Sequence, residues 1–149
     1  MLTCTRRFTF DSAHVLPNHP GKCARLHGHT YILEVTIGVG NEHHARSKWR
    51  HQGFYADFGD LKQIVTYVLE DWDHRNLNDM VDDYPTAERL ILHLWKQLAS
   101  KIRPGDSDPT FQLVHLKLHE TPNNWVEYDG TDPIFSHINI PETEIDIVE

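Results

Sequence analysis

Three histidines stand where a strand reading lets them converge: His14, and the pair His27 and His29 in "RLHGHTY". Side chains two apart on a strand point the same way, so His27 and His29 can offer both imidazoles to one ion. Zinc needs at least three protein ligands, and His14, at the end of an earlier alternating stretch, is the third. Neighbouring antiparallel strands lie about 5 Å apart, so imidazoles from two strand ends can meet. Three nitrogen ligands without a fourth describe an open zinc position, where a bound hydroxyl is acidified. Two other readings stay open: Cys23 as a fourth ligand would close the site into a structural one, and a His-x-His can arise by chance in a chain with twelve histidines.

Cys23 sits four residues before His27, with Lys22 and Arg25 close by. Neighbouring positive charge favours the thiolate. As a nucleophile or base, Cys23 would exchange protons with a histidine and a carboxylate brought from elsewhere. Asp73-His74, in "DWDHRNLND", is such a pair, although Asp-His dipeptides are frequent. Glu120 extends the parity of Val114, Leu116 and Leu118, which puts a carboxylate at the end of a strand's inner face. That placement is costly unless the charge is paired. Either two adjacent N–H donors of a heterocycle or a local Lys or Arg would satisfy it. Cys4 reads as a packed thiol, and His19, His43, His44, His51, His93, His115 and His137 as surface groups without partners.

The elements that must position these groups follow from periodicity. Thr3 to His14 alternates, with Phe8 and Phe10 on one parity; His27 to Val39 alternates again, with Tyr31, Leu33, Val35, Ile37 and Val39 on one side. "LPNHPGK" between them reads as a loop. Gly40 to Gly53 is polar and aperiodic and reads as a connection or flexible insertion. Leu61, Ile64, Val65, Val68, Leu69 and Trp72 then form a helical stripe, opened by Asp57 and Asp60. A second helix starts at a Thr86 cap, carries Ile91, Leu94, Trp95, Leu98 and Ile102, and ends at "RPGD". Phe111 to Glu120 and Trp125 to Tyr128 are two further strands. The order strand, strand, helix, helix, strand, strand predicts an α+β fold, an antiparallel sheet covered by helices on one face.

The chain of 149 residues reads as one domain, 1–149, with a core over about 2–129 and an acidic tail over 130–149. Fourteen basic against 22 acidic side chains, a net charge of −8, argue against nucleic acid or an anionic membrane as partner. No apolar run is long enough to span a bilayer, and "MLTCTRRFTF" lacks the apolar core of a secretory signal, so the expected compartment is cytoplasmic. The two cysteines are then expected as free thiols.

"FTFDSAH", "CARLHGH", "ADFGDLK", "WDHRNLND", "YPTAERL" and "LHET" occur in the order seen in the 6-pyruvoyltetrahydropterin synthase superfamily. From Leu2 to about Asp129 the chain resembles its 6-carboxytetrahydropterin synthase branch. The resemblance implies the tunnelling fold: a four-stranded antiparallel sheet with two helices on one face, forming homo-oligomers, a hexamer being the expected assembly, with active sites between subunits. It implies His14, His27 and His29 as zinc ligands, Cys23 as base, Asp73 and His74 as its proton-handling partners, and Glu120 as the anchor of a pterin ring. The implied reaction converts 7,8-dihydroneopterin triphosphate to 6-carboxytetrahydropterin, releasing acetaldehyde and triphosphate, on the way to queuosine or other deazapurines. Three residues between Cys23 and His27 suit that branch, whereas five are usual in pyruvoyl-forming relatives. The alternatives are a pyruvoyl-forming enzyme and a non-catalytic zinc- or pterin-binding protein. Lys22 and Arg25 are candidates for meeting the triphosphate, against a solvated-loop alternative.

Overall fold

The computed structural model describes residues 1–81, 84–102 and 110–132. Its frame is the antiparallel pair β1 (Cys4–His14) and β2 (His27–Val39), in register over the whole length of β1 from Cys4 opposite Ile37 to His14 opposite His27. On the far side of β2 lies β4 (Phe111–Thr121), followed by the edge strand β5 (Asn124–Tyr128). The alternation read in the sequence is the alternation of burial: Phe10, Ser12 and His14 of β1 and Tyr31, Leu33, Val35 and Ile37 of β2 face inward.

Two helices cover the inner face. In α2 (Phe58–Leu69) Leu61, Val65, Val68 and Leu69 are buried, and in α3 (Ala87–Lys101) Leu90, Ile91, Leu94 and Leu98 are. Asp57 caps α2 through Gly59 N–H and Thr86 caps α3 through Arg89 N–H. Trp72, buried past the end of α2, packs its ring edge-on against Phe10 and donates its indole N–H to Gln97 of α3 at 2.8 Å, tying the helical layer to β1.

Four expectations are corrected. The sheet has five strands, in the order β3-β1-β2-β4-β5: a two-residue strand, β3 (Arg75–Asn76), pairs parallel with Ser12 and Ala13. Two residues carry no periodicity, so β3 leaves no trace in the sequence. Gly40 to Gly53 is not a loop but contains α1 (Glu42–Gln52), which buries only Ala45. The helix lacks an apolar stripe and is marked instead by its ends, Asn41 accepting from His44 N–H and Gly53 in the left-handed region at φ 82°. Val114 is not on the inner face: β4 slips register against β2 between His115 and Leu113, and this bulge hands the inner face to Leu113 and Phe111. Finally, His93 is buried and His115 pairs with Glu127 at 3.2 Å, so neither is a free surface group.

On the outward face Arg7, Glu34, Lys117 and Glu127 lie directly opposite one another across β1, β2, β4 and β5, an alternating row of charges. Glu34 is its hub, accepting from His119 at 2.8 Å and Arg7 at 3.4 Å. Those bonds hold the Glu34 carboxyl below its ordinary range, the His119 bond having the largest effect. No helix among the described residues is long and apolar enough to cross a membrane. The "RPGD" segment, His137 and the tail from 133 lie outside the described residues.

Two glycines separate steric from conformational cost. A Cβ on Gly40 would lie 2.8 Å from the backbone of Phe111, whereas one on Gly53 meets nothing but must adopt φ 82°. Gly53→Ala should therefore cost about 1 kcal/mol, and Gly40→Ala about 2 kcal/mol or more, because two strands must separate. Urea unfolding of both variants checks the ranking; equal midpoints would refute it.

Candidate metal centre and its neighbours

The β1–β2 register sets His14 beside His27 and places His29 opposite Ser12, so the three rings share the inner face at the open end of the strand pair. Ring centroids lie 4.6, 5.0 and 4.9 Å apart for His14–His27, His14–His29 and His27–His29. Two rings are oriented by backbone carbonyls: His14 Nδ1 donates to Pro85 O at 2.8 Å and His27 Nδ1 to Arg25 O at 2.7 Å. A carbonyl only accepts, so both protons sit on Nδ1 and both Nε2 atoms present lone pairs. Those two Nε2 atoms are 3.0 Å apart. Two lone pairs at that distance repel unless a cation or proton lies between them. His29 Nε2 completes the set, buried and without a hydrogen-bond partner among the described residues.

One ligand atom from each histidine lies within 4.8 Å of the other two. Three imidazole nitrogens, two of them on rings oriented by carbonyls and the third orphaned, fit a zinc ion with an open position. Cys23 does not join this group, so the closed four-ligand site is not formed. Beneath the rings Tyr31 stacks on Phe10 at 5.0 Å, and its hydroxyl lies 3.4 Å from His14 Nδ1. Burial pushes that phenol far above its usual range, so it stays a neutral floor.

Glu120 reaches the same place from β4. Its Oε1 is 3.7 Å from His29 Nε2, so it faces the histidine group rather than a Lys or Arg. The β4–β5 register slips between His119 and Thr121, so Glu120 stands at an irregularity rather than in a regular ladder. Cys23 lies in a short turn, Lys22–Ala24, tied to the chain after β1 by Leu16 N–H donating to Cys23 O at 2.8 Å.

Asp73 and His74 form a close pair, Asp73 Oδ2 accepting from His74 Nδ1 at 2.8 Å. The other carboxylate oxygen accepts Asp11 N–H at 2.8 Å, and His74 N–H donates to Asp11 O at 2.6 Å with His74 at φ 56°. The bond from Asp11 first, then that from His74, lowers the Asp73 pKa. The ring of His74 is exposed. It lines an open depression of about 580 Å³ with Asp11, Ala13, Gly28 and Thr30 of β1 and β2, to which Ser12 and His29 also contribute. The orienting carbonyls of Pro85 and Arg25 went unread in the sequence because a backbone oxygen has no residue signature.

Burial lowers the pKa of both His14 and His29, Glu120 opposing it in each and the Pro85 bond opposing it in His14. The unfolded chain therefore takes up protons first as pH falls. Without metal, stability should drop as pH passes below about 6.5, the unfolded imidazole value, and level off once the folded-state histidines are also protonated. Urea midpoints against pH check this, with His29→Gln expected to flatten the decline. An unchanged slope in that variant would count against a burial-shifted His29.

The sequence model of the family described as 6-pyruvoyl tetrahydropterin synthase matches residues 3–131. A protein of Rickettsia bellii named 6-carboxy-5,6,7,8-tetrahydropterin synthase is 32% identical over 147 residues, covering 85% of this chain and 99% of its own length. One of the same name from Haemophilus influenzae is 32% identical over 146 residues, covering 86% and 99%. Among solved structures, 6-pyruvoyl tetrahydropterin synthase of Caenorhabditis elegans superposes with a TM-score of 0.68 at 26% identity, covering 87% of this chain and 96% of that one. That likeness carries the expected tunnelling fold. This chain belongs to the 6-pyruvoyl tetrahydropterin synthase family.

Proposed function

We propose that the protein is a zinc-dependent lyase that converts 7,8-dihydroneopterin triphosphate and water to 6-carboxy-5,6,7,8-tetrahydropterin, acetaldehyde and triphosphate. The observation that carries this reading is the convergence of His14, His27 and His29 nitrogens, one of them orphaned, beside the carboxylate of Glu120. Relatives named for the 6-carboxy product, each about a third identical over most of their length, support this product. The reading takes the whole chain, 1–149, as one catalytic domain.

His14, His27 and His29 would hold a zinc ion, which when bound would supply electrophilic polarisation of the substrate's side-chain hydroxyls and so acidify the adjacent C–H. The chain's own residues do the rest. Glu120 accepts from a ring N–H and the exocyclic amine of the pterin, a bidentate match for one carboxylate. Its position near His29 sets the distance between the ring and the hydroxylated side chain. Cys23 as thiolate removes the side-chain proton. Asp73, fixed by Asp11 N–H, holds His74 through Nδ1 and leaves Nε2 to exchange the proton. The exposed ring of His74 serves Cys23 of a neighbouring copy, so that the active site is intersubunit and the enzyme a homo-oligomer, taken here as a hexamer. Lys22 and Arg25 flank Cys23 and receive the triphosphate. The setting is cytoplasmic, and the product feeds deazapurine synthesis such as that of queuosine.

The test is product analysis by mass spectrometry on zinc-loaded protein given 7,8-dihydroneopterin triphosphate. Wild type should yield the 6-carboxy product and acetaldehyde. Cys23→Ala should keep zinc and lose at least a hundredfold in turnover. A pyruvoyl product would move the protein to the sister reaction, and zinc retained by both proteins without turnover in either would sink the lyase reading. Asp73→Asn should fall in kcat far more than it rises in KM, because the amide no longer stabilises a cationic His74; an unchanged kcat would remove the pair from the proton path.

A further inference from the structure

The parallel ladder between β3 and β1 stops early. Ser12 pairs with Arg75 and Ala13 with Asn76, and then the chain turns through Leu77–Asp79, so no β3 backbone accompanies β1 past its end. The side chain of Asn78 takes up the task. Its Oδ1 accepts Val15 N–H at 2.8 Å and its Nδ2 donates to Val15 O at 2.9 Å. One carboxamide thus offers Val15 the donor and acceptor that a neighbouring strand would have offered. Asn78 is itself held: its N–H donates to Asn76 Oδ1 at 3.1 Å, and Leu77 beside it is fully buried.

Val15 lies between two functional anchors. On one side is His14, its Nδ1 pinned by Pro85 and its Nε2 directed at His27. On the other is Leu16, whose N–H holds the carbonyl of Cys23. We infer that Asn78 is a positioning residue: by clamping the Val15 backbone it sets the approach of His14 to the histidine group and the placement of the Cys23 turn. The inference rests on the reading that the three histidines hold zinc and that Cys23 acts on substrate. Asn suits the task by its chemistry. Asp keeps the acceptor but loses the donor and sets a carboxylate against Val15 O, and Ala keeps neither bond.

The test compares wild type, Asn78→Ala, Asn78→Asp and, as a core truncation remote from the clamp, Leu98→Ala. Four quantities are read on the full chain: thermal midpoint, zinc affinity by chelator competition, the visible spectrum of the Co²⁺-substituted protein, and the rate of iodoacetamide alkylation at Cys23, located by mass spectrometry. Asn78→Ala should weaken zinc about tenfold, within the range seen when residues supporting a metal ligand are removed. It should also shift the cobalt bands and change the Cys23 alkylation rate several-fold. Asn78→Asp should fall between wild type and Ala, and it carries the test if Ala does not fold. Leu98→Ala should lower the midpoint while leaving the other three readings at wild-type values.

An Asn78→Ala protein that resembles Leu98→Ala, less stable but with unchanged zinc affinity, cobalt spectrum and alkylation rate, overturns the inference. The lyase reading fails separately. If wild type does not turn over while the cobalt and alkylation signals still respond to Asn78, the clamp stands without that reaction. If wild type binds no zinc, the Cys23 alkylation rate alone decides.

Discussion

Everything at the candidate centre depends on one register. β1 and β2 pair so that His14 meets His27, and the two-residue repeat carries His29 to the same side as Tyr31, Leu33, Val35 and Ile37. A slip of one residue would turn every one of these side chains to the opposite face. The apolar pattern and the histidine pattern are therefore a single pattern, and the burial of Leu33 and Ile37 holds the histidines in place. The same burial takes His14 and His29 out of water and favours their neutral form, the form in which imidazole binds a cation. Packing and ligand chemistry do not compete here, because both ask for the same faces.

The parts legible in the sequence were those that repeat. β2 was read to the residue, β1 and β4 to within one or two, and the stripes of α2 and α3 correspond to their buried faces. His14, His27 and His29 were found because a strand's parity can be extended to its end. What escaped was structure made by single events. The extra residue at Val114 shifts a parity that reading along the strand had carried through. α1 has caps but no stripe, since Ala45 is its one buried residue. β3 exists only because Trp72 and Asp73 are tied to Ser12 and Asp11, contacts about sixty residues apart along the chain. His93 and His115 looked alike in the sequence, yet one is buried and the other paired across strands.

The site is also an exercise in backbone placement. The carbonyls of Pro85 and Arg25 choose the tautomers of His14 and His27, and Asp11 offers both its N–H and its C=O to the Asp73-His74 segment. β1 is the common member of these arrangements: it carries His14 on its inner face, the Asp73-His74 segment along its edge, and the cysteine turn just beyond its end. Rigidity at β1 is thereby shared among groups that chemistry requires to keep fixed distances.

The alternating row Arg7–Glu34–Lys117–Glu127 has a consequence for how the molecule looks from a distance. Opposite charges one strand apart cancel within a Debye length, so that face presents almost no monopole to solvent. The net charge of −8 must therefore come from elsewhere, and from Asp129 onward the sequence holds six acidic residues with no Lys or Arg. The first 128 residues carry a net charge of only −2. Long-range repulsion between molecules, and its sensitivity to ionic strength, is thus a property of the last twenty-one residues, while the described sheet and helices meet their surroundings as a nearly neutral body.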